Sequence, residues 1–404
     1  MSNDELIEGL TEFSLEHLLG VYEIINHLHA IERLEESESF VMLRSTLNDK
    51  VQERQSLILS LLGVIGDEKT VDTVSESLAR GEKTSHAIAI ETLSNVNAVG
   101  DIRQVILMLE PLLLGGTTSE KLAGGRKVWQ LQPVDSGEAV RIYTESADPW
   151  IRAVAVDAAG HLMADEQAAP SAGAGAAGEN RSKWTSRINA LAVDEDSYVR
   201  EAAVSALGRV DNSGPRKWLD AAAGDAEERV RRQGGRASGE EGKYDNLSTI
   251  EKALFLKGVN LFESMTAEQL RILSDISTEI HIPSGKVIFD EGDPCDYLYV
   301  IVDGEVEITK DMGHDGEQIL VTLTPPASFG EIALFGDEGR SAGARTGKDI
   351  TLLGIEKDPF LALIEAHPAI SIAIIYELTS IVRNQDAVRT ASTHQGEPES
   401  PKED

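Results

Sequence analysis

The sequence predicts a multidomain protein: an all-α solenoid of helical repeats over residues 1–247, followed by an α+β domain over 248–388 in which helices flank an antiparallel β-roll. Three observations carry that expectation. In the first 247 positions apolar residues recur at helical spacing, and Gly, Pro or acidic residues punctuate the pattern at short intervals. Beyond Ile276, β-branched and aromatic residues gather in short runs bounded by Gly, Pro and Asp. The two regimes meet at GRASGEEGKYDN (235–246), a polar, glycine-containing stretch that marks a domain junction.

Composition narrows the function. The chain is 41% hydrophobic but only 5% aromatic, so its core is built from small side chains and alanine-rich helices are expected. Its 69 acidic and 37 basic residues give a net charge of -32, which repels a nucleic-acid backbone or an anionic membrane surface. Any anionic ligand must be held by local chemistry. One cysteine, Cys295, cannot form an internal disulfide or a thiolate metal site and fits a reducing compartment, so a cytoplasmic location is expected. The acidic N-terminus lacks the basic start of a signal peptide, and no apolar run approaches the ~20 residues that cross a bilayer, so no direct membrane insertion is expected.

In the helical half, DPWIRAVAVDAAGHL from Asp148 matches DSYVREAAVSALGRV from Asp196. Ile151, Ala155, Ala158, Ala159 and Leu162 fall on Val199, Ala203, Ala206, Leu207 and Val210, one helix face in each copy. Asp148 and Asp196 are N-cap candidates, and Pro149 suits a first helical position. GEKTSHAIAIETLSNV from Gly81 is a weaker echo, and EQAAPSAGAGAAGEN (166–180) has the composition of a flexible insertion between the copies. The pattern over roughly 50–235 resembles HEAT-type repeats, in which an arginine such as Arg152 or Arg200 follows an apolar residue near a helix start. A generic alanine-rich bundle is the alternative, and either implies a binding or spacer surface.

In the second half, Thr266 to Gln269 reads as a capping box with Met265 and Leu270 as its staple, so a helix is expected from about Ala267. KVIFDEGD, DYLYVIVDG, EVEITKD, EQILVTLT and ITLLGI read as strands, and Asp303-Gly304 as a hairpin turn between two of them. Helices resume at DPFLALIEAHPAISIAIIYELTSIVRNQ, and the tail 389–404 has a disordered composition. That tail has no room for a winged helix-turn-helix, so a transcription factor built on one is not expected.

Two signatures then stand out in order. Ile288, Phe289, Gly292, Asp293, Cys295, the apolar run Leu298 to Ile301 and Gly304 form the first; Phe329, Gly330, Glu331, Ala333, Leu334, Arg340, Ser341 and Ala342 form the second. Over about 248–388 the chain resembles the cyclic nucleotide-binding domain of the catabolite activator protein, cAMP-dependent kinase regulatory subunits and gated ion channels. The resemblance implies cAMP or cGMP as ligand and a phosphate-binding cassette comprising Gly330, Glu331, Ile332, Ala333, Arg340, Ser341 and Ala342. It places the ribose contact on Glu331 and Gly330, the phosphate contact on Arg340, and supporting contacts on Ser341 and Ala342.

The residue types suit that ligand. Gly330 allows close backbone approach, a short helix opening near Glu331 would aim N–H groups at an anion, and a carboxylate accepts well from a ribose hydroxyl. Arg340 supplies planar, permanently charged donors, a contact worth about 1.5–3 kcal/mol. Gly339 and Gly343-Ala344 depart from the family's Pro and Thr-Val and are expected to loosen the strand leaving the cassette. Glu331 and Arg340 pairing only with each other, in a domain that keeps the fold without the ligand, is the alternative.

Other motifs carry less. GARTGKD (343–349) has Asp349 where a nucleotide-triphosphate loop needs Ser or Thr. His27 and His29 lie two apart on a helix and point away from each other, and Cys295 fills a small-residue packing position. No metal site, resident cofactor or catalytic constellation is expected, and the chain is not read as an enzyme. The reading is a cyclic nucleotide sensor whose helical repeats meet a protein partner. The alternatives are a scaffold with a degenerate nucleotide domain, or a regulatory module of a membrane transporter. The second rests on the stretch from RQSLILSLLGVIGDEKTV (54–71) to IRQVILMLEPLL (102–113), which resembles the HEAT and nucleotide-sensing region that follows the membrane helices of some bacterial relatives of ATP:ADP antiporters and major-facilitator proteins.

Overall fold

The computed structural model describes residues 3–32, 40–65, 102–113, 116–168, 174–210, 216–239, 244–331, 339–375 and 379. The echo at 81–96, the cassette residues Ile332 and Ala333 with Leu334, and the tail 389–404 lie outside the described residues. The chain divides into two compact units, Met1–Val199 and Arg200–Asp404.

The first unit is helical among its described residues: α1 (Asn3–Glu32), α2 (Val41–Ile65), α3 (Ile102–Leu113), α4 (Thr118–Trp129), α5 (Ser136–Tyr143), α6 (Pro149–Ala168) and α7 (Ala174–Leu191). Helix α1 is its hub, packing against α2, α3, α4 and α5 through a face that buries Leu18, Val21, Tyr22, Ile25 and Ile31. The Tyr22 hydroxyl donates to the Met108 carbonyl at 2.8 Å, and its ring lies so close to α4 that a Cβ on Gly125 would sit 2.3 Å from it. His27 belongs to this packing: its Nδ1 lies 2.9 Å from the Tyr143 hydroxyl, and burial lowers its pKa. Among the described residues no group of His, Cys, Asp or Glu could hold a metal ion.

The stretch expected to be a flexible insertion is helical where described, since α6 runs through Ala168 and α7 begins at Ala174. Alanine is the best helix former, so a stretch rich in it extends helices even without large apolar residues.

Both matched segments start helices as expected. Asp148 Oδ1 accepts from the backbone N–H groups of Trp150 and Ile151 at 3.0 and 3.3 Å. Asp196 Oδ1 does the same for Tyr198 and Val199 at 2.9 and 3.4 Å, opening α8 (Ser197–Arg209). The aligned faces are buried except Leu162, which is half-buried beside a fully buried Met163. The repeated arginines also act alike. Arg152 donates through Nε and Nη2 to the two carboxylate oxygens of Asp194 at 3.1 and 2.8 Å. Arg200 donates in the same way to Asp225 at 2.7 and 2.9 Å. Asp194 and Asp225 each accept as well from the backbone N–H two residues on, at 2.9 Å.

The second unit continues with α9 (Lys217–Ala223), α10 (Glu228–Ser238), α11 (Thr249–Lys257), a 3-10 turn at Asn260–Phe262, and α12 (Ala267–Asp275). Its division from the first unit lies ahead of the 235–246 junction expected from composition. Side-chain links across that stretch account for the difference. Arg229 pairs with Asp275 at 2.8 Å, Arg236 pairs with Glu251, and the buried Glu201 accepts from the Thr249 backbone N–H at 3.1 Å. The expected capping box at Thr266 is present, with both of its bonds made and Met265 and Leu270 buried.

Two four-stranded antiparallel sheets form the roll. One has the order β1 (Ser277–Ile282), β8 (Ile350–Glu356), β3 (Tyr297–Asp303), β6 (Ser328–Phe329); the other has β2 (Val287–Phe289), β7 (Gly343–Thr346), β4 (Val306–Lys310), β5 (Gln318–Leu323). The turn at Asp303-Gly304 is therefore not a hairpin. It is the corner at which the chain leaves one sheet for the other, since β3 pairs with β8 and β6 while β4 pairs with β5 and β7. Gly304 has φ +93°, and a Cβ there would lie 2.5 Å from the Asp349 carbonyl oxygen, so the corner packs against the chain entering β8. Tyr299, Ile301, Val306, Phe329, Ala344, Ile350 and Leu352 fill the space between the sheets.

After β8 the chain forms α13 (Lys357–Ala366) and a sharply bent continuation, Pro368–Ile375, which buries Ile370 and Ile374. Among the described residues no single helix is long and apolar enough to cross a membrane.

Candidate functional site

The two sequence signatures converge at one end of the roll. The turn after β2 and the residues entering β7 clasp each other by a reciprocal backbone pair: Arg340 N donates to the Asp293 carbonyl and Gly292 N to the Arg340 carbonyl, both at 2.8 Å. Gly292, at φ +86°, supplies the left-handed conformation that the turn needs, and Asp293 closes it by accepting from Asp290 N at 2.8 Å. Gly339 sits inside this clasp. A Cβ there would lie 2.4 Å from the Gly292 carbonyl oxygen and 3.0 Å from that of Asp293. Glycine thus tightens the exit of the cassette instead of loosening it, because only a residue without a side chain lets the two backbones meet. Gly343 and Ala344 are likewise buried within β7, paired to β4.

Arg340 is 4% exposed. Its Nη1 donates to the Gly330 carbonyl at 3.0 Å and its Nη2 to the Tyr297 carbonyl at 2.7 Å. The guanidinium lies over the Phe289 ring, with Cζ 4.1 Å from the centroid, and more distantly over Tyr299 at 5.7 Å. Gly330 has φ +88°, and a Cβ there would fall 2.2 Å from Arg340 Nη1. The close approach that glycine allows at this position is therefore to the arginine, where the sequence suggested the ligand. Cys295 Sγ lies 3.7 and 3.8 Å from the same two carbonyl oxygens, which fits a small packing residue.

Glu331 follows directly. Burial raises its carboxyl pKa, with opposing contributions from its own backbone N–H and from Arg340. Among the described residues no ion pair joins Glu331 to Arg340. Instead Glu331 Oε2 and Arg340 Nε are both buried without a hydrogen-bond partner. An acceptor and a donor left unsatisfied in one place are costly in a folded protein, and such groups mark a strained site or one completed by something else. Of the other predicted residues, Ser341 is exposed and Ala342, just ahead of β7, is 8% exposed, while Ile332, Ala333 and the expected helix after Glu331 lie outside the described residues. Sequence reasoning missed Phe289 as a partner of Arg340, and it missed the carbonyls of Tyr297 and Gly330, since a backbone acceptor has no residue type to read.

Residues 279–367 match the family model described as cyclic nucleotide-binding domain. The C-terminal domain is a cyclic nucleotide-binding domain. It is similar to the CRP-like cAMP-activated global transcriptional regulator of Mycobacterium tuberculosis, 26% identical over 128 residues, which are 32% of this chain and 57% of that protein. It is also similar to the cyclic AMP receptor protein of Thermus thermophilus, 30% identical over 131 residues, 32% of this chain and 61% of that protein. The chain thus spans less than two thirds of either relative. Among solved structures, the Thermus thermophilus catabolite activator protein is 28% identical, with 33% of this chain and 63% of that chain covered and a TM-score of 0.30. The helices ahead of residue 279 fall outside the family match.

Proposed function

We propose that this chain is a cytoplasmic, non-enzymatic sensor that binds cAMP or cGMP in its cyclic nucleotide-binding domain and passes the binding event to its helical repeats. The observation that carries the reading is the pair of buried, unpartnered atoms, Glu331 Oε2 and Arg340 Nε. A cyclic nucleotide brings one ribose hydroxyl to donate to the first and one phosphate monoanion to accept from the second. Glu331 and Gly330 hold the ribose, Arg340 the phosphate, and Ser341 and Ala342 the remaining phosphate oxygens; Ile332 and Ala333 complete the cassette. Serine after the arginine favours adenine by family resemblance. The cAMP-linked names of the two relatives agree with this ligand class.

Coupling would run through α11 and α12, which pack on each other and which Glu201, Arg229 and Arg236 tie to α8 and α10. The repeats, read as HEAT-like because Arg152 and Arg200 repeat one ion-pair geometry, would present a face to a protein partner. For that coupling to act, the nucleotide must bind one arrangement of these helices more tightly than another.

Calorimetric titration of cAMP and cGMP into the wild type and Arg340→Ala tests the reading. Saturable binding by the wild type, weakened at least ~10-fold by the substitution, is expected, about 1.4 kcal/mol. A folded wild type that binds neither nucleotide would leave only the scaffold alternative.

A further inference from the structure

We propose that Phe289 is a positioning residue for Arg340, holding the guanidinium plane in the orientation that meets the cyclic phosphate. The inference rests on the nucleotide-binding reading above. Arg340 has no carboxylate partner among the described residues, yet it is 4% exposed and held from three separate elements. Tyr297 in β3 and Gly330 after β6 each accept one of its N–H groups, and Phe289 in β2 covers its face. The two carbonyl bonds act at the edge of a planar group and leave it free to tilt about the line that joins them. A ring packed on the face removes that freedom.

An aromatic face is also suited to a site that must later accept an anion. A carboxylate would orient the arginine but occupy its donors and neutralise its charge. The ring touches only the π-face, so Nε and one N–H on each Nη, of the five donors a guanidinium carries, stay uncommitted. Phe289 is itself fixed by neighbours: Tyr299 lies 6.1 Å away and nearly parallel at 23°, Phe329 lies 6.0 Å away, and these two stack on each other at 5.1 Å. The aromatic stack in the roll core therefore sets the plane of the arginine.

The test is calorimetric titration of the full chain with cAMP and with its two phosphorothioate diastereomers, each of which replaces a different exocyclic oxygen by sulfur. Wild type, Phe289→Tyr, Phe289→Leu and Phe289→Met are compared, and melting curves without ligand report whether each variant is folded. The second ring-free variant keeps one unstable protein from deciding the result. Phe289→Tyr keeps the ring and should bind cAMP within about twofold of the wild type, while the folded ring-free variants should bind ~5- to 10-fold more weakly. They should also narrow the wild type's preference between the diastereomers, because an arginine free to tilt no longer favours one exocyclic oxygen. Folded ring-free variants that bind like the wild type, or that weaken both diastereomers by one common factor, would overturn the positioning role. A wild type that binds no cAMP would instead remove the nucleotide reading, and this inference with it.

Discussion

The helical region and the β-roll bury arginines in opposite ways. Arg152 and Arg200 lie in two-pronged pairs with Asp194 and Asp225, every partner 12–15% exposed, so each charge is neutralised within the fold. Arg340 is more deeply buried and is met by two neutral carbonyls and an aromatic ring. The difference separates structure from function. A paired arginine has its charge answered by a neighbouring carboxylate, whereas Arg340, which makes no ion pair among the described residues, keeps donors free for an anion.

Removing one member of a repeat pair should show the first behaviour at its largest. Arg200→Ala leaves Asp225 without its ion-pair partner at a poorly solvated position, and denaturant unfolding should report a loss of roughly 3 kcal/mol. Nucleotide affinity should stay unchanged. A loss of affinity without a loss of stability would break the distinction between the two kinds of arginine.

Glu201 sharpens the comparison as a third way to hold a buried charge, by protonation. Burial raises its pKa to about 7, against the opposing pull of its hydrogen bonds from Thr249 and of Arg229 and Lys252. The folded state therefore binds a proton that the unfolded state has released, and stability contributed by this group is lost as pH rises through about 7. Between pH 5 and 8 that loss should be roughly 2–3 kcal/mol, and Glu201→Gln should flatten this part of the pH profile. A slope that the substitution leaves unchanged would assign it to other groups.

The backbone clasp around Arg340 gives a smaller effect. Gly339→Ala forces a Cβ against the Gly292 and Asp293 carbonyls, and roughly 1–2 kcal/mol of stability should be lost, with weaker nucleotide binding as the clasp opens. Unchanged stability and affinity would show that the turn yields without moving the arginine.

Local chemistry was legible in the sequence, and long-range geometry was not. The caps at Asp148, Asp196 and Thr266 could be read because each bonds to backbone two or three residues on. Gly330, Glu331 and Arg340 could be singled out because a ligand with a hydroxyl and a phosphate would call for those types, and the fold brings the signatures that hold them together at one end of the roll. The ion-pair partners Asp194 and Asp225 could not, since nothing in a sequence dense with carboxylates singles them out. Asp303-Gly304 carries the residues of a hairpin, but pairing of β3 with β8 and of β4 with β7, from Thr309↔Gly343 to Tyr297↔Glu356, turned it into a corner between sheets. Gly339 read as slack in the strand because its crowding comes from a turn nearly 50 residues earlier. The alanine-rich stretch 166–180 read as a linker, although its helix propensity argued the other way where α6 ends and α7 begins.

The central claim is that Arg340 carries a buried charge completed by a cyclic phosphate. It is tested most directly by the melting temperature of the full chain against cAMP concentration, for the wild type and Arg340→Ala. A ligand that binds only the folded state adds about 2.7 kcal/mol at one hundred times its Kd, so the wild-type transition should climb steadily with cAMP while the variant, binding at least ~10-fold more weakly, gains about 1.4 kcal/mol or less over the same range. Equal shifts in the two proteins, or none in either, would contradict the account.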